Sequence, residues 1–384
     1  MAARPAVRQG VRPQMRAAER QAVRTWLLTR LSIVVLSVAG SWMLAGGTAG
    51  AQPGFLQLWD RWDVRVFVKI ARFGYLGYPR DYPDTGTAAF FPGMPGALWL
   101  VHLATANWVV AGLVTSLLAG GVAAVALARL AAADHGEDVA SRSVLYLAVS
   151  PFAVFLAAGY SEALFLAFAI TAWLAAREQH WLLAGVLGGL AGTVRVTGLF
   201  LGAALIVEWA VRGGADGRRW RDLPPLLLPW AAVAGYVVYL HAITGDWLAW
   251  QHVQARQFGR GLVLPWQALQ TTWHAALNPN QPAPFAWSFA AEIAAMAVGV
   301  ALTVVLLVRR SWGEAVYVGG QLAALATSSF YASVGRATLL WWPLWVLLAV
   351  AAARWRWVHA TYLVLAVPLC AVGVVAFTRG GWVG

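Results

Sequence analysis

Long apolar runs broken by short polar stretches dominate this chain. A helix needs about 20 apolar residues to cross a bilayer. On that pattern, spans are expected at about 26–46, 108–128, 143–159, 162–176, 181–194, 196–211, 224–243, 285–308, 314–331, 338–353 and 358–377. Several are shorter than a crossing, and such helices pack inside a bundle or meet at breaks that line a cavity. The predicted fold class is therefore all-α, a polytopic membrane helix bundle of about 11 spans. The apolar piece 96–105 is short and follows two prolines, so it reads as a re-entrant or surface helix. Two segments outside the spans are long, 47–107 and 244–284.

The first of these carries WDRWDVRVFVKIARFGY over 59–75. As one helix at about 100° per residue, 59–73 places Trp59, Trp62, Val66, Ile70 and Phe73 on one stripe. Arg61, Arg65 and Arg72 cluster on another face. That predicts an amphipathic helix lying in the membrane interface, with Trp at headgroup depth. Asp63 falls at the edge of the apolar stripe, where a carboxylate is costly without a partner or a task. Asp60 lies farther round and reads as solvated.

Composition agrees with a membrane protein: 60% of 384 residues are hydrophobic and 11% are charged. The net charge is +12, and Lys69 is the only lysine. The arginines are spread over short loops, which points to positive-inside topology and anionic lipid or phosphate rather than nucleic acid. Most of the 28 cations fall on the cytoplasmic side if the N-terminus is cytoplasmic. The same parity sets Asp63, Glu162, Arg195 and Arg336 on the outer side. The stretch 1–25 reads as a basic, disordered cytoplasmic tail, followed by one membrane-embedded domain over 26–384. The run near 26–46 reads as a retained signal-anchor, since it is longer than a signal-peptide core and lacks a clear cleavage site. Cys370 alone excludes an intrachain disulfide and a cysteine-based metal site.

A carboxylate at the membrane surface suits a general base acting on a hydroxyl. Guanidinium groups suit a phosphate, because they are planar, always charged and bidentate. The candidates for phosphate and substrate binding are Arg61, Arg65, Lys69, Arg72, Arg256, Arg260 and Arg336, with Glu162 and Arg195 at breaks between short spans. Ionisable residues at such breaks are functional candidates, or a Glu–Arg pair that glues the bundle. Asp81 and Asp84 read as a plain loop, Glu292 as a bundle-facing, hydrogen-bonded group, and His241 and His252 as structural. The seven histidines lack zinc spacing, and no P-loop is present. No metal or cofactor is expected.

Four stretches, in order, resemble the PIG-V-like mannosyltransferases of the GT-C class of membrane glycosyltransferases. They are WDVRVFVKIARFGY (62–75), AFFPGMPGALWL (89–100), SPFAVFLAAGYSEALFLAF with LAGTVRVTGLFL (150–168, 190–201), and GDWLAWQHVQARQFGRGLVLPW with SVGRATLLWWPLW (245–266, 333–345). The resemblance implies transfer of a mannosyl or related hexosyl unit from a polyprenyl-phosphate sugar to an acceptor hydroxyl at the outer face, with inversion and without a metal. It makes Asp63 the catalytic acid of the first outer loop. Trp62, Tyr75, Phe91, Pro92 and Tyr160 become structural or substrate-loop residues. The acceptor, lipid or glycan, is left open. The rival readings are a transporter or flippase of a lipid-linked or anionic solute, and a catalytically silent family member serving as a complex subunit.

Overall fold

The computed structural model describes the backbone of residues 8–43, 53–76, 86–212 and 220–384, with side chains from residue 17 onward except at position 284. Its regular structure is helical. In chain order the helices are α1 Arg8–Met43, α2 Phe55–Trp59, α3 Asp63–Phe73, α4 Gly93–Thr105, α5 Trp108–His135, α6 Glu137–Ala148, α7 Ser161–Arg177, α8 Trp181–Val194 and α9 Gly198–Arg212. Then follow α10 Leu228–Thr244, α11 Ala249–Phe258, α12 Pro265–Leu277, α13 Ala283–Val308, α14 Trp312–Ala326, α15 Val334–Ala337, α16 Trp342–Arg354 and α17 Arg356–Thr378. Among the described residues, the one isolated β-bridge joins Leu262 to Ser328.

Among the described residues, five helices are long and apolar enough to cross a membrane: Ala17–Met43, Trp108–His135, Trp220–Thr244, Phe285–Val308 and Arg356–Thr378. A bent pair, Val334–Leu340 with Trp342–Arg354 at 77°, would make a sixth. The protein is thus a multi-pass membrane protein. The remaining expected spans are the short helices α6 to α9, α14 and α16. Helix α4 starts at Gly93, before the predicted 96, and buries Met94 and Leu98 while Trp99, Leu100 and Leu103 stay exposed. Helix α1 reaches back into the basic segment, so 17–25 is helical rather than unstructured. The reason is packing: Ala18, Ala22 and Trp26 are buried.

Helix α5 forms the centre, packed against α1, α4, α6 and α7. Its buried face is built from small residues, including Ala119, Gly120, Ala123, Ala124 and Ala128. Small residues let membrane helices approach closely. The Trp26 ring lies where a Cβ on Gly120 would stand, and its Nε1 donates to Leu117 O at 2.9 Å.

Three breaks in this bundle face one another across the site. The first separates α6 from α7. There Arg30, itself buried, donates to Ala148 O at 2.6 Å and Ala153 O at 3.2 Å. The bond to Ala148 O satisfies a carbonyl that the end of α6 leaves unpaired, and the bond to Ala153 O ties down the turn that follows. The second separates α8 from α9, with Arg195 extended. The third is the bend around α15.

Candidate active site

The region around Asp63 is not one helix. Helix α2 ends at Trp59, and Trp62 adopts φ 49° and ψ −125°, which restarts the chain as α3 at Asp63. A positive φ at a bulky residue is strained and is held only by its surroundings. Here Trp62 packs edge-on to Trp382, with ring centroids 5.3 Å apart. The expected stripe Trp59, Trp62, Val66, Ile70 and Phe73 is thereby broken: Trp59 is buried and Trp62 is exposed. The face of α3 buried in protein carries Val64, Phe67, Lys69 and Ile70 instead.

Asp63 Oδ2 accepts from Arg336 Nη1 at 3.0 Å. Arg336 Nε lies 3.2 Å from Glu162 Oε1, and the same oxygen accepts from Arg195 Nη1 at 2.7 Å. Arg195 also donates to Ser161 Oγ at 2.7 Å. Two carboxylates and two guanidiniums thus alternate in one chain, each contributed beside a helix break. The Asp63 N–H donates to the buried Tyr160 hydroxyl at 3.3 Å, and Arg336 lies over the Phe155 and Tyr160 rings. Burial pushes the Asp63 carboxyl above its ordinary range, and the Arg336 guanidinium pulls it back in part.

Glu292, on α13, holds Arg336 in place. Its carboxylate accepts from Ser333 N at 2.8 Å, Val334 N at 2.6 Å and Gly335 N at 3.0 Å. These N–H groups are the unpaired donors at the start of α15. The expectation of a bundle-facing, hydrogen-bonded Glu292 agrees with this geometry.

Asp63, Arg195, Glu292 and Arg336 line a cavity of about 900 Å³. Aromatic side chains, among them Phe67, Phe90, Phe91, Phe258, Phe289 and Trp382, supply much of its wall. Arg260 enters from the segment after α11 and donates to Ala332 O at 3.3 Å and Ser333 Oγ at 3.4 Å. Among the described residues it makes no ion pair with a carboxylate. Burial pushes its guanidinium down to about 10.

The other expected cations do not line this cavity. At about 100° per residue from Asp63, Phe67 returns to about 40°, whereas Arg65, Lys69 and Arg72 fall near 200°, 240° and 180°. Arg65 pairs with Asp60 at 3.4 Å in solvent, and Arg72 lies over the Phe73 ring. Arg61 points to Thr378 O at 3.5 Å, and Arg256 is exposed. Tyr75 packs with Tyr236 and donates to Phe90 O at 2.8 Å, bracing the segment that Pro92 closes ahead of α4.

His252 and Asp246 are paired at 2.6 Å, and His252 also lines the cavity. The hydrogen bond from His252 holds the exposed Asp246 carboxyl below its ordinary value. His241 stacks on Trp247 at 3.8 Å. Gln321 and Trp382 also reach the cavity. No spacing marks either of them in the sequence. Asp81 and Asp84 lie outside the described residues, among which no group of three His, Cys, Asp or Glu could hold a metal.

Comparison with known proteins bears on this site. Residues 49–207 match the family model Mannosyltransferase (PIG-V), a stretch that holds Asp63, Glu162 and Arg195. GPI alpha-1,6-mannosyltransferase 2 of Mus musculus is 35% identical over 157 residues, which cover 38% of this chain and 30% of that protein. The Rattus norvegicus protein of the same name is 36% identical over 152 residues, covering 36% and 29%. The match therefore spans less than a third of the length of these curated relatives. Among solved structures, ArnT from Cupriavidus metallidurans bound to undecaprenyl phosphate aligns with TM-score 0.51 and 14% identity, over 91% of this chain and 64% of that one. This last likeness is one of fold alone, an all-helical bundle.

Proposed function

We propose that this chain, PIG-V-like over residues 49–207, is a membrane glycosyltransferase that moves a mannosyl or related hexosyl unit from a polyprenyl-phosphate sugar to an acceptor hydroxyl. The observation that carries the reading is the placement of Asp63. Its carboxylate is oriented by Arg336 at 3.0 Å, on the wall of a cavity large enough for a lipid-linked sugar. Asp63 removes the acceptor proton. The acceptor oxygen forms a bond to the anomeric carbon as the carbon–oxygen bond to phosphate breaks, which inverts that carbon. The proton stays on Asp63 and the electron pair leaves with the phosphate.

Arg260 and Arg336 receive that departing charge. Arg260 suits the task because its guanidinium is cationic, half-buried and, among the described residues, in no ion pair with a carboxylate. Glu162 and Arg195 hold Arg336 in register. The aromatic wall offers an apolar bed for the polyprenyl end. Undecaprenyl phosphate, the ligand of the fold neighbour, is of the chemical class of the proposed leaving group. The site is assigned to the extracytoplasmic face, from the positive-inside parity.

The test uses purified protein in liposomes with radiolabelled polyprenyl-phosphate mannose and a crude membrane lipid extract. Wild type transfers label to a new product, and Asp63→Asn lowers the rate by at least about 100-fold, the scale of a lost general base. Normal turnover in Asp63→Asn removes Asp63 from the mechanism. No donor turnover by folded wild type favours the transport or silent-subunit reading.

A further inference from the structure

Four neutral side chains of the cavity wall carry buried hydrogen-bonding atoms that have no partner among the described residues. They are Thr197 Oγ1, Gln254 Oε1, Gln321 Oε1 and Ser328 Oγ. Native interiors pair nearly all such groups, so each calls for a ligand or water. They come from separate elements: Thr197 from the α8–α9 break, Gln254 from α11, Gln321 from α14, and Ser328 from the turn after α14. Gln321 is 2% exposed, and its Nε2 donates to Tyr317 O at 3.0 Å, which leaves Oε1 as the unpaired end. Thr197 lies two residues from Arg195, so this polar wall adjoins the charged chain around Asp63.

The chemistry of the four atoms selects the ligand. A glutamine carbonyl oxygen only accepts, so its partner must donate. A phosphate diester cannot donate. An ammonium group would donate, but the three guanidiniums of the cavity, Arg195, Arg260 and Arg336, outnumber its two carboxylates, Asp63 and Glu292, which are already hydrogen-bonded. A neutral hydroxyl donates to the glutamines and accepts from Thr197 and Ser328. Terminal amide torsions are soft, so the oxygens can turn toward an arriving ring without backbone movement.

We propose that Gln254 and Gln321, assisted by Thr197 and Ser328, form a clamp for the ring hydroxyls of a hexose. This rests on the transferase reading only for which hexose it is, namely the transferred unit of the donor. The clamp then decides which sugar is accepted, because a site built around a hydroxyl rejects an analogue lacking it.

Gln254→Met and Gln321→Met keep the size of the side chain and remove the amide. Wild type should use at least one monodeoxy mannosyl donor about tenfold less well than the full donor, in kcat/KM. In the matching Met variant that gap closes to about onefold, while the deoxy donor turns over as in wild type. A gap that persists unchanged in both variants overturns the clamp. Binding is read separately by saturation-transfer NMR with methyl α-mannopyranoside on protein in nanodiscs. Saturation seen in wild type and lost in the Met variants supports the clamp even without turnover, in which case the transferase reading alone fails. Equal saturation in all three proteins, or none in wild type, overturns it. Gln254 sits on a largely exposed helix, so its variant tests the clamp even if Gln321→Met does not fold.

Discussion

Asp63 is the base of the proposed mechanism. Burial raises its carboxyl, and Arg336 at 3.0 Å offsets part of that rise. A base works when deprotonated, so activity should climb with pH through this raised value and then level. The acid limb of kcat/KM is therefore expected above about 3.9, the ordinary aspartate value. Arg336→Gln removes the offsetting cation and should move the limb further up, in addition to lowering the plateau. A limb that stays put or moves down in Arg336→Gln would mean another group titrates. Asp63 was legible in the sequence because a carboxylate beside an apolar stripe is costly. Its partner was not, because 273 residues separate Asp63 from Arg336. Arg65, Lys69 and Arg72 looked equally suited to phosphate by type. With Asp63 facing the cavity, the helical pitch of α3 turns them away from it.

At the scale of elements, the site is a meeting of interrupted helices. The strained Trp62, the extended Arg195 and the bend at α15 each release one charged residue into the same space. The shortness of the apolar runs predicts breaks near Glu162, Arg195 and Arg336. The stripe over 59–73 fits helical spacing and predicts one continuous helix, because nothing local announces a positive φ at a tryptophan. Close packing keeps the α8–α9 break tight. A Cβ on Gly198 would lie 2.4 Å from Gly192 Cα, a backbone atom that cannot swing aside. Gly198→Ala should therefore cost about 1–3 kcal/mol and lower transfer, since it shifts the turn that carries Arg195. A thermal unfolding midpoint and a transfer rate equal to wild type would show that the two helices separate without consequence.

For the whole molecule, the orientation in the membrane follows from charge and can be measured directly. Leu262 is 89% exposed near the cavity segment, whereas Arg309 is exposed at the far end of α13. A cysteine replacing Leu262 should react with a membrane-impermeant maleimide in intact cells, and one replacing Arg309 only after permeabilisation. The native Cys370 is buried and should stay silent. The opposite labelling pattern would place the site in the cytoplasm. The sequence by itself determined an all-helical membrane chain, its runs and breaks, its family resemblance and Asp63 as the acid to test. These are properties of local composition and spacing, which act through burial of apolar length and the cost of charge in lipid. Tertiary structure alone decided which cations reach the cavity, that Glu292 braces Arg336, and that Gln254 and Gln321 face a shared space. Those facts depend on helices distant in sequence docking at fixed rotation, which no local pattern encodes.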